Sequence, residues 1–198
     1  MRCLWQDCGI ASVLRATYRP LTANGTSNIK LTSGTKTVPP KLLLQALADI
    51  YDCVEALGVS PALAGGLAVS FWGHPRSTQD IDLAILVENK KHFEVELTRL
   101  GLKAKKPGRW IDLGVVQVSQ WTLSLENQYI DCKIDFLTSD SAFHREAIAH
   151  APSAEFTGVD RELKVLSLED LLLFKAASGR MIDLADIRTL CEIHRGAL

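Results

Sequence analysis

The sequence has no apolar run approaching the ~18 residues of a membrane span, so a membrane protein is not expected. Its five cysteines (Cys3, Cys8, Cys53, Cys132 and Cys191) are odd in number, scattered, and include no C-x-x-C pair. That argues against a disulfide framework or a zinc site and for a reducing, cytoplasmic compartment. The N-terminus lacks a secretory apolar segment, because Gln6 and Asp7 interrupt it. No segment repeats, and chain order alone reveals no Ser-His-Asp or Cys-His arrangement. His144 and His150 lie six apart and off a common helix face, which makes them poor metal ligands. Neither sign of charge is in excess: 22 Lys and Arg face 23 Asp and Glu, a net of -1. Overall charge therefore directs the chain to neither nucleic acid nor membrane, and any such contact must come from a local patch.

What is present is the composition of a globular protein. Of 198 residues, 47% are hydrophobic and 23% charged, enough to bury a core in one domain with an appendage. Residues 1–38 differ from the rest. Arg2, Arg15, Arg19, Lys30 and Lys36 stand against Asp7 alone, a net of +4, which leaves -5 for the remainder. "PLTANGTSNIKLTSGTKTVPP" is linker composition. We therefore expect a flexible leader over 1–38, a core over 39–150 and a helical C-terminal part over 151–198.

From Pro40, "KLLLQALADIYDCVEALGV" has the apolar spacing of an amphipathic helix stopped by Gly58. "SPALAGG" reads as a short buried strand entering a glycine turn, "LAVSFWG" as a short helix, and "DIDLAILV" as a strand. "KKHFEVELTRLG" is a helix, and "LKAKKPGRW", "WIDLGVVQVSQW" and "QYIDCKIDFLT" are strands. "SAFHREAIAHA" is helical, and "EFTGVDRELKVLS" is a strand or hairpin. Ser167 caps a helix with acids in its first turn, and "MIDLADIRTLCEIHR" is the last helix. Strands gather in the middle with helices at both ends, an α+β chain with a small mixed sheet.

Asp80 and Asp82 carry the chemistry. Alternation along a strand puts both on one face. Two adjacent carboxylates repel unless a cation lies between them, and hard divalent ions such as Mg2+ take carboxylates together with substrate phosphates. An isolated D-x-D also fits two solvated acids at a strand edge. Context favours the first reading. Gly65-Gly66 opens a helix upstream, with thirteen residues (67–79) between it and Asp80, at a turn where backbone N–H groups are open to an anion. A third carboxylate is expected on a neighbouring strand. "YIDCKIDFL" offers Asp131 and Asp135, and Asp135 is preferred because apolar residues flank it as in a buried strand.

"GG", then "DID", then a strand with "IDF" resembles the nucleotidyltransferase fold of the DNA polymerase β superfamily. "LAGGLAVSFWGHPRSTQDIDL" and the C-terminal "LSLEDLLLFKAASGRMIDLADIRTL" are similar to its minimal bacterial branch, which includes AbiEii-like abortive-infection toxins, over roughly residues 41–195. The resemblance implies that Asp80, Asp82 and Asp135 bind Mg2+ or Mn2+ and that a nucleoside triphosphate lies against Gly65 and Gly66. Attack at the α-phosphorus then releases pyrophosphate. It implies nucleotide contacts for Lys175 and Asp186. Arg76 is placed for a phosphate or for a surface ion pair, and Thr78 for a phosphate or for capping its loop. The acceptor implied is an RNA or tRNA end or a protein hydroxyl, with a small antitoxin as partner. A small-molecule acceptor, as in drug-modifying relatives, and a catalytically silent binding module are the alternatives. The chain departs from the pattern at Gly66, where many relatives carry Ser or Thr whose hydroxyl touches phosphate. The basic run Lys103, Lys105, Lys106 and Arg109 beside Trp110 suits a nucleic-acid backbone or a solvated hairpin tip.

Overall fold

The computed structural model describes residues 40–125, 130–156 and 158–195; the expected leader, 1–38, lies outside them. Helix α1 (Pro40–Ala56) buries the stripe that its spacing predicts, with Leu43, Leu47, Ile50 and Val54 all at most 4% exposed. Tyr51 on the same face anchors it. Its hydroxyl donates to the Pro61 carbonyl at 2.6 Å and accepts the Lys164 N–H at 2.8 Å.

Strand β1 (Ala62–Leu63) leads into α2 (Gly65–Phe71), and β2 (Asp80–Ala84) follows. Helix α3 (Lys90–Arg99) precedes the short β3 (Lys103–Ala104) and β4 (Ile111–Asp112) and the long β5 (Gln117–Leu125) and β6 (Ile130–Thr138). Then come α4 (Ala142–Ala149), the hairpin β7 (Ser153–Glu155) and β8 (Glu162–Lys164), α5 (Leu168–Ser178) and α6 (Met181–Ile193). Thus the C-terminal part opens with a hairpin before its helices.

The main sheet runs β1-β2-β6-β5-β3, with β4 also paired to β5. Strands β2 and β6 are parallel and the other pairs antiparallel, so the sheet is mixed. Alternation sends Ile81, Leu83, Cys132, Ile134 and Phe136 to one face, all fully buried. Burying that many apolar side chains is what fixes the register, because a one-residue slip would turn all of them to the opposite face. The opposite face of β2 and β6 is left to polar residues. Trp72 Nε1 donates to the Leu166 carbonyl at 2.9 Å and His194 Nε2 contacts the Trp72 carbonyl at 2.7 Å, which tie α2 to the C-terminal helices. The start of α5 matches the expected cap. The Ser167 hydroxyl accepts the Asp170 N–H, and Gly179 closes the helix at φ +64°. Among the described residues no helix is long and apolar enough to cross a membrane.

Candidate functional site

The polar face of β2 and β6 brings the expected acids together. Asp82 and Asp135 are direct register partners on parallel strands, and Asp80 lies opposite Lys133. Across β5 the rows continue as Asp82–Asp135–Gln120 and Asp80–Lys133–Thr122. Gln120 Nε2 lies 3.3 and 3.4 Å from the two Asp135 oxygens. Lys133 Nζ lies 3.6 Å from Asp80 Oδ1, an atom that is itself buried and accepts no hydrogen bond. Asp131 is exposed and takes the Ser124 hydroxyl at 2.9 Å, away from this group.

The acids feel one another. Burial pushes the Asp82 carboxyl up to about 6, helped by the charges of Asp135 and Asp80 and opposed by the Gly66 N–H and by Arg180. Asp135 is also raised, mainly by burial. The Gln120 amide and the charges of Lys105 and Lys133 oppose that rise, while Asp80 adds to it. No three His, Cys, Asp or Glu side chains among the described residues already surround one point as a metal site. The donor chemistry nevertheless fits a hard divalent cation. Three carboxylates share one face, two of them have raised affinity for protons, and Asp80 Oδ1 has no hydrogen-bond donor.

The glycine turn is fitted to Asp82. Gly65 has φ +58°, and a Cβ built there would lie 1.8 Å from Asp82 Oδ2. The Ala64 N–H also donates to the Asp82 carbonyl at 2.9 Å. Gly65→Ala should therefore displace the Asp82 carboxylate and strain the backbone. We expect a loss of about 2 kcal/mol or more in stability, measured by chemical denaturation; an unchanged midpoint would disprove the close approach. At Gly66 a Cβ would meet Thr78 Oγ1 at 2.8 Å and Arg76 Nη2 at 3.1 Å. The space that a side chain at 66 would enter is already held by the Thr78 hydroxyl.

Arg76 Nε lies 3.3 Å from Asp186 Oδ1 without making a hydrogen bond, an ion pair to a buried carboxylate and not one at the surface, while Nη2 lies beside Gly66. His74 Nε2 is 3.7 Å from the same oxygen. Lys175, expected at a phosphate, is 4% exposed and donates to Asp183 Oδ1 at 2.9 Å and Asp186 Oδ2 at 2.7 Å. Its ammonium faces two buried carboxylates, because a lysine enclosed by an apolar helix pair needs its countercharge inside. Asp186, expected at the nucleotide, is likewise buried among Lys175, Arg76 and His74. Arg180 completes the group through Asp183, with Nε to Oδ2 at 2.6 Å and Nη2 to Oδ1 at 3.2 Å. Burial alone would raise Asp183, but hydrogen bonds from Arg180, Lys175 and Ser178 outweigh it and hold the carboxyl at about 2.

Lys133 and Gln120 are the residues that sequence reasoning missed. Lys133 was within reach of it, two positions before Asp135 and so on the same strand face. Gln120 was not, since only the antiparallel register places it against Asp135.

Comparison with known proteins bears on the fold and the family. Two solved structures share the fold at low identity. One is an antigenic nucleotidyltransferase-like protein from Paracoccidioides brasiliensis, 16% identical, with 76% of each chain covered and a TM-score of 0.51. The other is a Thermotoga maritima protein classed as a candidate nucleotidyltransferase, 17% identical, with 79% of this chain and 96% of that one covered and a TM-score of 0.52. No curated protein matches the chain. The model of the family described as "Nucleotidyl transferase AbiEii toxin, Type IV TA system" matches residues 54–196, most of the chain. On that match the chain belongs to the AbiEii nucleotidyltransferases, enzymes of the DNA polymerase β superfamily.

Proposed function

We propose that the protein transfers a nucleoside monophosphate from a nucleoside triphosphate to a hydroxyl at an RNA end, with the polar face of β2 and β6 as the reaction surface. The observation that carries this is the parallel register of Asp82 with Asp135, with Asp80 two residues away and Gly65 packed on the Asp82 carboxylate. Asp80, Asp82 and Asp135 would hold Mg2+ or Mn2+, which when bound supplies neutralisation of phosphate charge and polarisation of the α-phosphoryl group.

The remaining work falls to the chain's own residues. Asp135, whose carboxyl is raised, is suited to accept the proton of the attacking hydroxyl. The Gly65–Gly66 turn lets phosphate oxygens approach the backbone. Thr78 supplies, from the neighbouring loop, the hydroxyl that relatives carry after the first glycine. Arg76 presents Nη2 at the same place while Asp186 orients it. Lys175 and Asp186 act as positioning residues beneath this surface.

The acceptor reading rests on where the basic run lies. Lys103 is the register partner of Thr122, which pairs with Lys133, so both lysines share the face of the acids. The Lys105 N–H donates to the Gln120 carbonyl at 2.9 Å, and its charge reaches Asp135. A row of exposed lysines beside a phosphoryl-transfer site suits a polyanionic acceptor. The toxin–antitoxin setting of the family is consistent with an RNA target inside the cell and with a small antitoxin.

The experiment is transfer of label from each α-labelled triphosphate, with Mg2+, to total cellular RNA and separately to a protein extract. Label on RNA that disappears on omission of Mg2+ is expected. Label on protein alone would overturn the RNA assignment. Absence of label in both, with no Mg2+-dependent triphosphate binding, would mean a silent binding module.

A further inference from the structure

Arg180 stands at the N-cap of α6, yet its side chain makes no capping hydrogen bond there. It is 69% exposed, but it is held firmly at one edge: Nε and Nη2 both donate to Asp183, a carboxylate 1% exposed. Asp183 is in turn fixed by Lys175 Nζ. A guanidinium has five N–H groups. Two are spent on Asp183, and those of the opposite edge remain for a ligand.

Charge counting points the same way. The cluster holds buried Lys175, half-buried Arg76 and exposed Arg180 against Asp183 and Asp186. That leaves one positive charge over within the cluster, on the side of the acid row. The cluster is continuous with the acid row through Asp186, Arg76, Gly66 and Asp82. The charges of Arg180 and Asp82 act on each other.

We propose that Arg180 is a further substrate-binding residue, whose free guanidinium edge takes the β- and γ-phosphate oxygens of the triphosphate while buried Asp183 holds the other edge in place. This rests on the nucleotide-site reading given above. In the transfer step the acceptor oxygen bonds to the α-phosphorus and its proton passes to Asp135. The bond to the bridging oxygen breaks, and pyrophosphate departs with the electron pair. Arg180 meets the charge that grows on that leaving group. Arginine suits the task because one planar fork serves a carboxylate on one side and phosphate oxygens on the other.

The test is calorimetric binding of Mg2+-pyrophosphate, of each triphosphate and of each monophosphate to the full chain, alongside its melting temperature. Arg180→Ala is expected to weaken pyrophosphate and triphosphate binding by about 10- to 100-fold. Monophosphate binding should stay the same. Arg180→Lys should recover only part of the loss, since an ammonium lacks the second edge. A purely structural arginine would instead lower the melting temperature and weaken mono- and triphosphates alike, and that result would overturn the proposal. Unchanged pyrophosphate binding in Arg180→Ala, with binding lost in Asp82→Asn, would overturn this inference alone. A wild-type protein that binds neither triphosphate nor pyrophosphate would overturn the nucleotide-site reading and this inference with it.

Discussion

Asp82→Asn is expected to abolish nucleotidyl transfer and, in metal-free solution, to make the protein more stable than the wild type. The two effects share one cause. Folding moves the Asp82 carboxyl from 3.8 to about 6, first through burial and then through Asp135 and Asp80. Between those values the folded state holds a proton that the unfolded state has released. Stability therefore falls as pH rises through this window, and the full cost stands above pH ~6. A shift of this size corresponds to about 3 kcal/mol. Asparagine carries no charge to repel Asp80 and Asp135, and its carbonyl still accepts the Gly66 N–H. A gain of about 2 kcal/mol would raise the melting temperature by roughly 4–8 °C at this chain length. Transfer should fall on the order of 10³-fold, the scale of losing one charge-stabilising group. Melting curves against pH decide the matter. The wild type should lose stability between pH ~4 and ~6 while the variant does not, and Mg2+ should stabilise the wild type alone. A variant that melts below the wild type in chelator at neutral pH would refute the account.

Lys175→Met carries the second large effect, and it is an effect on folding. Asp183 and Asp186 are each 1% exposed, and the Lys175 ammonium lies 2.9 and 2.7 Å from them. Without it, two buried carboxylates keep Arg180, Ser178, His74 and the angled contact to Arg76 but lose the cation that lies between them. Breaking a buried ionic group in this way costs about 3–5 kcal/mol, a fall of roughly 10 °C or more in melting temperature. Replacing one acid as well, as Lys175→Met with Asp183→Asn, should return part of the stability, because one charge of each sign is then removed and Asp186 keeps Arg76 as its countercharge. The reading of Lys175 as a phosphate ligand makes the opposite prediction. It requires lost triphosphate affinity at an unchanged melting temperature, and that result in Lys175→Met would remove the structural role assigned here.

Much of this site was legible before any coordinates, for local reasons. Alternation along a strand is a property of two or three residues, so Asp80 and Asp82 had to share a face once "DIDLAILV" became a strand, and Asp135 was separable from Asp131 by its apolar neighbours. The helix signal at Ser167 is equally local. The roles of Lys175, Asp186 and Arg180 were less legible. A lysine within "LLLFKAA" reads the same whether it reaches a phosphate, snorkels to solvent or closes on carboxylates from the next helix. Its neighbours in sequence say nothing about what α6 packs against it.

By itself, then, the sequence determined the strand and helix periodicities, the turn at Gly65-Gly66 and the separate motifs whose resemblance groups this chain with nucleotidyltransferases, since each periodicity, turn or motif depends on residues within a few positions of one another. Tertiary structure alone decided that Asp82 meets Asp135, that Lys133 and Gln120 join them, and that Lys175 turns inward to Asp183 and Asp186. Those pairings come from strand register and helix packing, which are set by burying the whole apolar face of the sheet and are a property of no single segment.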